Sequence, residues 1–246
     1  MSVDFEINNS VAILTLNNPK KLNALNTNFV EEIYDHLFDV EKKANVLVIF
    51  GTEKAFAAGV DINEIDSLTF EKALIKEFID YKWERILNVK IPVISGVEKY
   101  ALGGGFELAL ASDIIIANEN AKFGFPEVNL GLMPGLGGTQ LLTRIVGSKK
   151  ASELIMSGDF INAKEALQLN IVSKILSSSA DLKREALNLA KKIAEKSPTS
   201  LRLIKEAIQL SQNTGCLQGI KIERNLFRSL FSTSYKEKLT KKFLKK

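Results

Sequence analysis

The chain has 246 residues, of which 46% are hydrophobic and 25% charged, ordinary values for a globular protein with one large core. The net charge of +4 is mild and owes much to the basic tail at 236–246, so we expect no nucleic-acid partner. The single cysteine excludes an internal disulfide and fits a reducing compartment. The sequence shows no secretion signal and no apolar run of about 18 residues, so we expect a cytoplasmic protein that does not enter membranes.

The N-terminal segment predicts a β-hairpin followed by an amphipathic helix. Short β-rich runs at Phe5–Ile7 and Val11–Leu16 flank Asn8-Asn9-Ser10, which is typical of a turn between two strands. Asn26 or Thr27 can then cap a helix. Apolar residues recur in that helix at helical spacing, namely Phe29, Val30, Ile33, Leu37 and Val40.

Two apolar runs of strand length come next, with a helical pattern between them. Val46–Phe50 and Pro92–Val97 are mostly apolar, which is typical of strands buried on both faces. Between them, Glu71–Leu87 predicts one long helix. The segment Lys54–Asp61, which reads KAFAAGVD, is rich in small residues, so we expect another group to approach its backbone closely.

The second half of the chain predicts two more strands and then helices alone. Ile114–Ala117 and Ile171–Leu176 are the strand candidates, and Asn162 is a predicted N-cap for the helix that follows it. Only helical patterns follow the last strand. Strands that alternate with helices, followed by helices alone, indicate an α/β core over residues 1–178 and a helical region over residues 179–246.

The stretch Tyr100–Gly138 carries the candidate chemistry. Three glycines, Gly103–Gly105, run into an apolar segment, which predicts a tight turn that opens a buried helix with free backbone N–H groups. Glu107 lies within that apolar segment, where burial would raise its pKa. Glu127 follows 20 residues later. Backbone N–H groups that stabilise negative charge, together with two carboxyl groups, suit a reaction through an enolate or another oxyanion.

Several other kinds of site are not indicated, and each glutamate also has a purely structural interpretation. The glycine turn lacks the spaced glycines of a dinucleotide fingerprint and the GK[ST] of a P-loop. His36 lies away from the apolar positions of its helix, so a histidine-based triad has no candidate. Asp61 and Asp113 lack metal-ligand spacing, so we expect no metal. Glu107 could instead be a paired carboxylate at a helix N-terminus, and Glu127 could cap a neighbouring turn.

Four motifs, spaced in one order, resemble those of the enoyl-CoA hydratase, or crotonase, superfamily. They are KAFAAGVD from Lys54, YALGGGFELA from Tyr100, FGFPEVNLGLMPGLGGTQ from Phe123 and LTRIVG from Leu142. The resemblance extends from Ile13–Leu25 to Ile175 and fades in the C-terminal helices. It implies an α/β spiral of repeated β-β-α units, a C-terminal helical region that covers the site, and a homotrimer or a dimer of trimers, that is, a homohexamer.

The resemblance also implies a substrate and the residues that bind it. The family acts on acyl-CoA thioesters and holds the thioester oxygen between two backbone N–H groups, which here belong to Val60 and Gly104. Coenzyme A is part of that substrate, and no separate cofactor is implied. The residues assigned in this way to substrate binding are Leu25, Ala57, Ala58, Asp61, Ile62 and Asn63.

Within the family, the pair of glutamates indicates one reaction. Hydratases carry a glutamate at both the GGGxE and the FGxPE positions, whereas Δ3,Δ2-enoyl-CoA isomerases keep only the second, and this chain has both. The resemblance therefore implies hydration of a 2-enoyl-CoA to a 3-hydroxyacyl-CoA, as in fatty acid metabolism, with Glu107 activating water and Glu127 supplying the α-proton. The alternatives are an isomerase, a specialised acyl-CoA dehydratase and a non-catalytic relative that binds acyl-CoA or RNA.

The chain departs from the family pattern at three places. Glu98-Lys99 replaces the usual Asn-Gly before the glycine turn, Leu141 replaces the arginine of GGTQR, and Lys238 stands where a glycine usually follows Glu237. The first departure bears on the geometry of the turn. The last lies in a region that often borders the acyl pocket and the CoA phosphates, so the resemblance leaves the acyl chain open.

Overall fold

The computed structural model describes residues 2–79 and 81–244. In these residues the strands are, in chain order, β1 (Ser2–Asn8), β2 (Val11–Asn17), β3 (Val46–Phe50), β4 (Val93–Val97), β5 (Tyr100–Leu102), β6 (Ile114–Asn118), β7 (Lys122–Gly124), β8 (Phe160–Asn162) and β9 (Lys174–Leu176). The helices are α1 (Thr27–Lys43), α2 (Ile62–Asp66), α3 (Phe70–Ile75), α4 (Tyr81–Leu87), α5 (Gly104–Leu110), α6 (Gly138–Val146), α7 (Ser148–Ser157), α8 (Ala163–Gln168), α9 (Ser179–Ala194), α10 (Pro198–Ser211), α11 (Cys216–Ser229) and α12 (Ser234–Leu244). Short 3-10 helices lie at Pro19–Lys21, Pro126–Leu130 and Leu230–Ser232.

The larger sheet has the strand order β1-β2-β3-β4-β6-β9. Strands β1 and β2 pair antiparallel, and all the other neighbours pair parallel. Every residue of β3 and β4 is buried, as expected for the central strands of a parallel sheet with helices on both faces. The hairpin and the two buried strands predicted from the sequence are therefore confirmed.

Helix α1 has the buried stripe that its sequence predicts. Asn26 is the N-cap, and its Oδ1 accepts a hydrogen bond of 2.9 Å from the Phe29 N–H. The buried residues of the helix are Phe29, Val30, Ile33, Leu37 and Val40. They belong to the same hydrophobic cluster as Leu47 and Ile49 of β3, so α1 contributes to the core on one face of the larger sheet.

Helix α9 covers the opposite face of that sheet. The second hydrophobic cluster includes Leu182, Ala186 and Ala190 of α9 and Val46 and Val48 of β3. Successive residues of a strand point to opposite faces, so these valines face away from the α1 side. The strands end before α9, as predicted, yet this helix packs directly on the sheet. The division into 1–178 and 179–246 stays a prediction.

The prediction of a single long helix over Glu71–Leu87 is wrong. The chain forms α3 and α4 instead, because Glu77 and Ile79 adopt left-handed conformations with φ of 47° and 67°, which a right-handed helix does not accommodate. The apolar residues of α3 and α4 recur at spacings that resemble those of one continuous amphipathic helix. Asp80, inside the predicted helix, lies outside the described residues.

A second sheet, with the strand order β5-β7-β8, is missing from the sequence prediction. Each of its strands has three residues, which is too few for a period of two to be recognised. Strand β9 is likewise shorter than the predicted Ile171–Leu176. Asn162 caps α8 as predicted, and a capping box with Glu165 reinforces it.

The C-terminal helices follow α9. Lys205 of α10 is buried, and its Nζ donates to Asp113 at 2.8 Å and to the Ile91 carbonyl oxygen at 2.9 Å, which fixes α10 to the core. The basic tail forms α12, except for Lys245 and Lys246, which lie outside the described residues. Among the described helices, none combines the length and the apolar composition needed to cross a bilayer.

Candidate active site

The glycine turn brings two backbone segments into contact. Gly103 precedes α5 with a φ of +51° and a ψ of −129°, a conformation that is open to glycine but not to residues with a Cβ. A Cβ built on Gly105 would lie 2.2 Å from the Ala57 carbonyl oxygen, so a side chain there has no space. Ala57 belongs to the segment of small residues, and the close approach expected from KAFAAGVD is confirmed.

Glu107 lies in the first turn of α5 and is 1% exposed. Its Oε1 accepts hydrogen bonds of 2.7 Å from the N–H groups of Leu136 and Gly138. Burial raises the pKa of the Glu107 carboxyl, although these donors act in the opposite direction, because desolvation disfavours the charged form. The carboxylate thus accepts hydrogen bonds from the loop before α6 and from the first residue of α6.

Glu127 lies in the 3-10 helix after β7 and faces the glycine turn. A Cβ built on Gly103 would lie 2.8 Å from its Oε1. Its Oε2 is enclosed and has no hydrogen-bond partner among the described residues. Burial, with a smaller contribution from the charge of Glu107, raises the pKa of Glu127 to about 7. The carboxyl is therefore present in both protonation states near neutral pH.

The N–H groups of Val60 and Gly104 lie on the two segments that meet at the glycine turn. A Cβ built on Gly104 would lie 3.2 Å from Val60 Cγ2, and one built on Gly59 would lie 3.8 Å from Gly104 N. In residues 2–79 and 81–244, neither N–H donates to a protein acceptor. Two neighbouring N–H groups of this kind can bind an oxygen on which negative charge develops.

A cavity of about 670 Å³ adjoins these groups, a size typical of small-molecule sites. Glu107, Glu127, Gly103 and Val60 line one side of it. The rest of the lining is largely apolar and includes Phe70, Ala73, Phe78, Ile79, Leu132 and Met133. The two carboxyl groups therefore face a space that an apolar chain can enter.

The residues assigned to substrate binding fall into two groups. Ala58, Asp61, Ile62 and Asn63 line the cavity. Ala57 and Leu25 are fully buried and do not line it. The Asp61 carboxylate also acts within the protein, because it accepts hydrogen bonds from Lys21 Nζ at 2.6 Å and from the Asn63 N–H at 3.1 Å. Substrate binding by all six stays a prediction.

The turn at Glu98-Lys99, where the family usually has Asn-Gly, still leads into β5. Lys99 adopts a left-handed φ of 46°, and the Glu98 carbonyl oxygen accepts a hydrogen bond of 2.9 Å from the Phe56 N–H. The Glu98 side chain is buried, and burial raises the pKa of its carboxyl. Glu98 does not line the cavity.

The apolar side of the cavity is not recognisable from the sequence alone. Phe70 and Ala73 come from α3, and Phe78 and Ile79 come from the break that follows it. Three of them, Ala73, Phe78 and Ile79, lie within the helix predicted over Glu71–Leu87, so no local pattern distinguishes cavity lining from core. A second cavity, of about 340 Å³, shares Phe78, Ile79 and Val60 with the first.

Comparisons with known proteins match the chain to one family along nearly its whole length. The family model for enoyl-CoA hydratase/isomerase matches residues 6–246. A probable enoyl-CoA hydratase of Rhizobium meliloti is 43% identical over 93% of this chain and 89% of its own length. The mitochondrial enoyl-CoA hydratase of Pongo abelii is 39% identical over 97% of this chain and 82% of its own length.

Solved structures share the fold along the whole chain. A crystal structure described as "Enoyl-CoA Hydrates Subunit I" from Geobacillus kaustophilus is 40% identical, with a TM-score of 0.95 over 100% of this chain and 95% of that one. An enoyl-CoA hydratase from Bacillus anthracis is 31% identical, with a TM-score of 0.93 over 100% of this chain and 96% of that one. The crotonase-like α/β fold with C-terminal helices is thereby confirmed.

Proposed function

The chain belongs to the enoyl-CoA hydratase/isomerase family, and we propose that it adds water across the 2,3 double bond of a 2-enoyl-CoA to give a 3-hydroxyacyl-CoA. Relatives named enoyl-CoA hydratase support this class of reaction. One observation carries the proposal. Two carboxyl groups of raised pKa, those of Glu107 and Glu127, line one cavity beside the N–H groups of Val60 and Gly104.

In the proposed reaction, the N–H groups of Val60 and Gly104 donate to the thioester oxygen. As water attacks the β-carbon, the electrons of the double bond move towards this oxygen and an enolate forms. The N–H pair stabilises the charged enolate more than the neutral thioester, so the barrier falls. Loss of one such donor typically lowers the rate about 10²- to 10³-fold.

The two glutamates transfer the protons. Ionised Glu107 accepts a proton from the attacking water, and protonated Glu127 gives a proton to the α-carbon, so a C–O and a C–H bond form as one O–H bond of water breaks. A proton then passes from Glu107 to Glu127, and the net change is addition of one water. The pKa of about 7 at Glu127 and the two N–H donors to Glu107 support this assignment.

The proposed reaction requires no metal or redox cofactor, because water and these groups supply every atom that is transferred. Coenzyme A enters as part of the substrate. The residues that we propose for its binding are Leu25, Ala57, Ala58, Asp61, Ile62 and Asn63. Support comes from the four of them that line the cavity beside the reacting groups, namely Ala58, Asp61, Ile62 and Asn63.

The loss of 2-enoyl thioester absorbance with crotonyl-CoA tests the proposal. The proteins to compare are wild type, Glu107→Gln, Glu127→Gln and the control Glu119→Gln, whose side chain is exposed. We expect kcat to fall about 10²- to 10⁴-fold in each of the first two variants and to stay at the wild-type value in the control. Wild-type protein that hydrates neither crotonyl-CoA nor longer 2-enoyl-CoAs would contradict the proposal. Binding without turnover would then indicate a non-catalytic relative.

Isomerisation of a 3-enoyl-CoA is the alternative that a specific observation favours. Glu127 has an enclosed oxygen without a partner among the described residues, so this carboxyl alone could move a proton between the α- and γ-carbons. Product analysis on 2-enoyl and 3-enoyl substrates separates the two reactions. Isomerisation that persists in Glu107→Gln, without hydration by wild type, would favour the alternative.

A homotrimer or a dimer of trimers is the assembly that we propose. Large apolar side chains are exposed along α11 and the region after it, among them Leu217, Phe227, Phe231 and Phe243, and contacts between copies of the chain would bury them. Light scattering tests the proposal, because the mass should correspond to three or six copies of the 27.2 kDa chain. A monomer at all concentrations would contradict it.

A further inference from the structure

The segment that carries the Val60 N–H lies outside the regular strands. Residues 55–61 pair on one side with residues 98–102, where the N–H groups of Phe56 and Ala57 donate to backbone carbonyls at 2.9 and 3.0 Å. These hydrogen bonds attach the segment to the glycine turn. They do not by themselves fix its opposite side, which leads to Val60.

Residues 22–25 hold that opposite side. The Leu22 carbonyl oxygen accepts a hydrogen bond of 3.0 Å from the Ala58 N–H. Leu25 donates to the carbonyl of the residue before Val60 at 2.7 Å and accepts from the N–H of the residue after it at 3.0 Å. Both neighbours of Val60 are therefore hydrogen-bonded, while its own N–H points to no acceptor among the described residues.

Asn23 fixes residues 22–25 against the same segment. Its side chain is fully buried, and its backbone is left-handed, with a φ of 55°. Its Nδ2 donates to the carbonyl oxygens of Ala55 and Phe56 at 2.8 and 3.0 Å, and its Oδ1 accepts from the Asn18 N–H at 2.6 Å. Asn23 does not line the cavity, so it acts only through the backbone that it holds.

A second connection joins the same two parts of the chain. Lys21 Nζ lies 2.6 Å from Asp61 Oδ2, and the Asp61 side chain is only 7% exposed. The other oxygen of Asp61 accepts from the Asn63 N–H and caps α2. A charge-assisted hydrogen bond with a buried partner restrains its elements more strongly than an exposed ion pair does. The residue directly after Val60 is thus held by its side chain as well.

We infer that Asn23 and the Lys21–Asp61 ion pair are positioning groups that set the place of the Val60 N–H relative to the Gly104 N–H. The inference rests on the proposed function, in which these two N–H groups bind the enolate oxygen. A displacement of the Val60 N–H by about 1 Å severely weakens its hydrogen bond to the enolate oxygen in the transition state, while the substrate can still bind. Loss of these connections therefore lowers the affinity for an enolate more than the affinity for a neutral thioester.

Two ligands of similar size test this difference. Butyryl-CoA presents a neutral thioester, whereas acetoacetyl-CoA can ionise to an enolate. The test variants are Asn23→Gly, which removes the side-chain hydrogen bonds but tolerates the left-handed φ, and Lys21→Met, which removes the ion pair. The controls are Lys21→Arg, which keeps the ion pair, and Ser95→Ala, which removes a buried hydrogen bond to Ser112 away from the cavity.

We expect Asn23→Gly to lower kcat with crotonyl-CoA about 10- to 100-fold. The Kd of acetoacetyl-CoA should rise by a similar factor, while the Kd of butyryl-CoA and the KM change less than about threefold. Lys21→Met should show the same pattern with smaller changes, and Lys21→Arg, which keeps the ion pair, should restore the wild-type ratio of the two Kd values. Ser95→Ala should lose stability without a change in the ratio of the two Kd values.

Equal weakening of both ligands, or no change in either, would overturn the inference. Hydration by wild type would in that case still support the proposed function. If Asn23→Gly does not fold, Lys21→Met decides the question by the same ratio. Wild-type protein without turnover on any 2-enoyl-CoA would instead contradict the proposed function, and the inference with it.

Discussion

The cavity has two walls that are built in different ways. The reaction wall, defined as Val60, Gly103, Glu107 and Glu127, is positioned by backbone hydrogen bonds and glycine contacts that exclude a methyl group. The apolar wall, defined as residues 62–79, consists of two short helices and a left-handed break, with many exposed side chains. Close backbone packing makes the first wall intolerant of change. The second wall can vary in shape without disturbing the first.

Gly105→Ala should disturb the reaction wall more than any other substitution considered. The added methyl group would lie 2.2 Å from the Ala57 carbonyl oxygen, so the glycine turn and residues 55–61 must move apart. We expect kcat with crotonyl-CoA to fall more than about 100-fold, because the N–H pair is displaced. The free energy of unfolding, measured by chemical denaturation, should fall by about 1–3 kcal/mol.

Gly219→Ala is the matched control for this variant. Gly219 lies inside α11, where a Cβ would meet only Thr214 Oγ1, at 3.4 Å. Alanine is favoured over glycine inside a helix by about 0.5–1 kcal/mol, so stability should rise slightly and kcat should not change. A Gly105→Ala protein with wild-type kcat and stability would show that the reaction wall tolerates a methyl group.

The pH dependence of kcat/KM tests the role of Glu127 in the reaction wall. Burial raises the pKa of Glu127 to about 7, and the proposed role requires its protonated form. We therefore expect kcat/KM for hydration to fall up to about tenfold per pH unit above about pH 7. A profile that stays flat from about pH 6 to about pH 9 would contradict the role of Glu127 as the α-proton donor.

The same titration has a consequence for stability. Glu127 in the unfolded chain ionises near the ordinary value of 4.5, whereas the folded protein keeps the proton up to about 7, so stability is lost as the pH rises between these values. Glu127→Gln has no such loss. Its Tm should exceed that of wild type by a few degrees above pH 7, and the difference should vanish near pH 4.5. The exposed control Glu119→Gln should show no such dependence.

The smallest predicted effect concerns the apolar wall. Phe78 lines both the larger and the smaller cavity, so Phe78→Ala should enlarge the space for an acyl chain. We expect the ratio of kcat/KM for a long 2-enoyl-CoA to that for crotonyl-CoA to rise about tenfold. Leu74→Ala, on the same wall but outside the cavity lining, is the control. Equal loss on every substrate in Phe78→Ala would mean that Phe78 supports the reaction wall instead.

The two walls also differed in how well the sequence predicted them. Glu107 and Glu127 could be identified because carboxylates are unusual in apolar or glycine-rich surroundings, and the family resemblance identified the N–H groups of Val60 and Gly104. Asn23 was missed, because one asparagine near a turn has many ordinary explanations. Its importance depends on contacts more than 30 residues away in sequence, with Ala55 and Phe56.

Local patterns determined much of the fold by themselves. The stripe on α1, the N-caps Asn26 and Asn162 and the buried runs of β3 and β4 depend on neighbours within a few residues, and burial repeats with the period of the element. The way in which distant segments join depends on tertiary packing. This packing pairs three-residue strands into a second sheet, breaks the helix at Glu77 and Ile79, and brings Glu107 beside Glu127. These features depend on which distant segments come into contact, and such contacts do not repeat with the period of a helix or a strand.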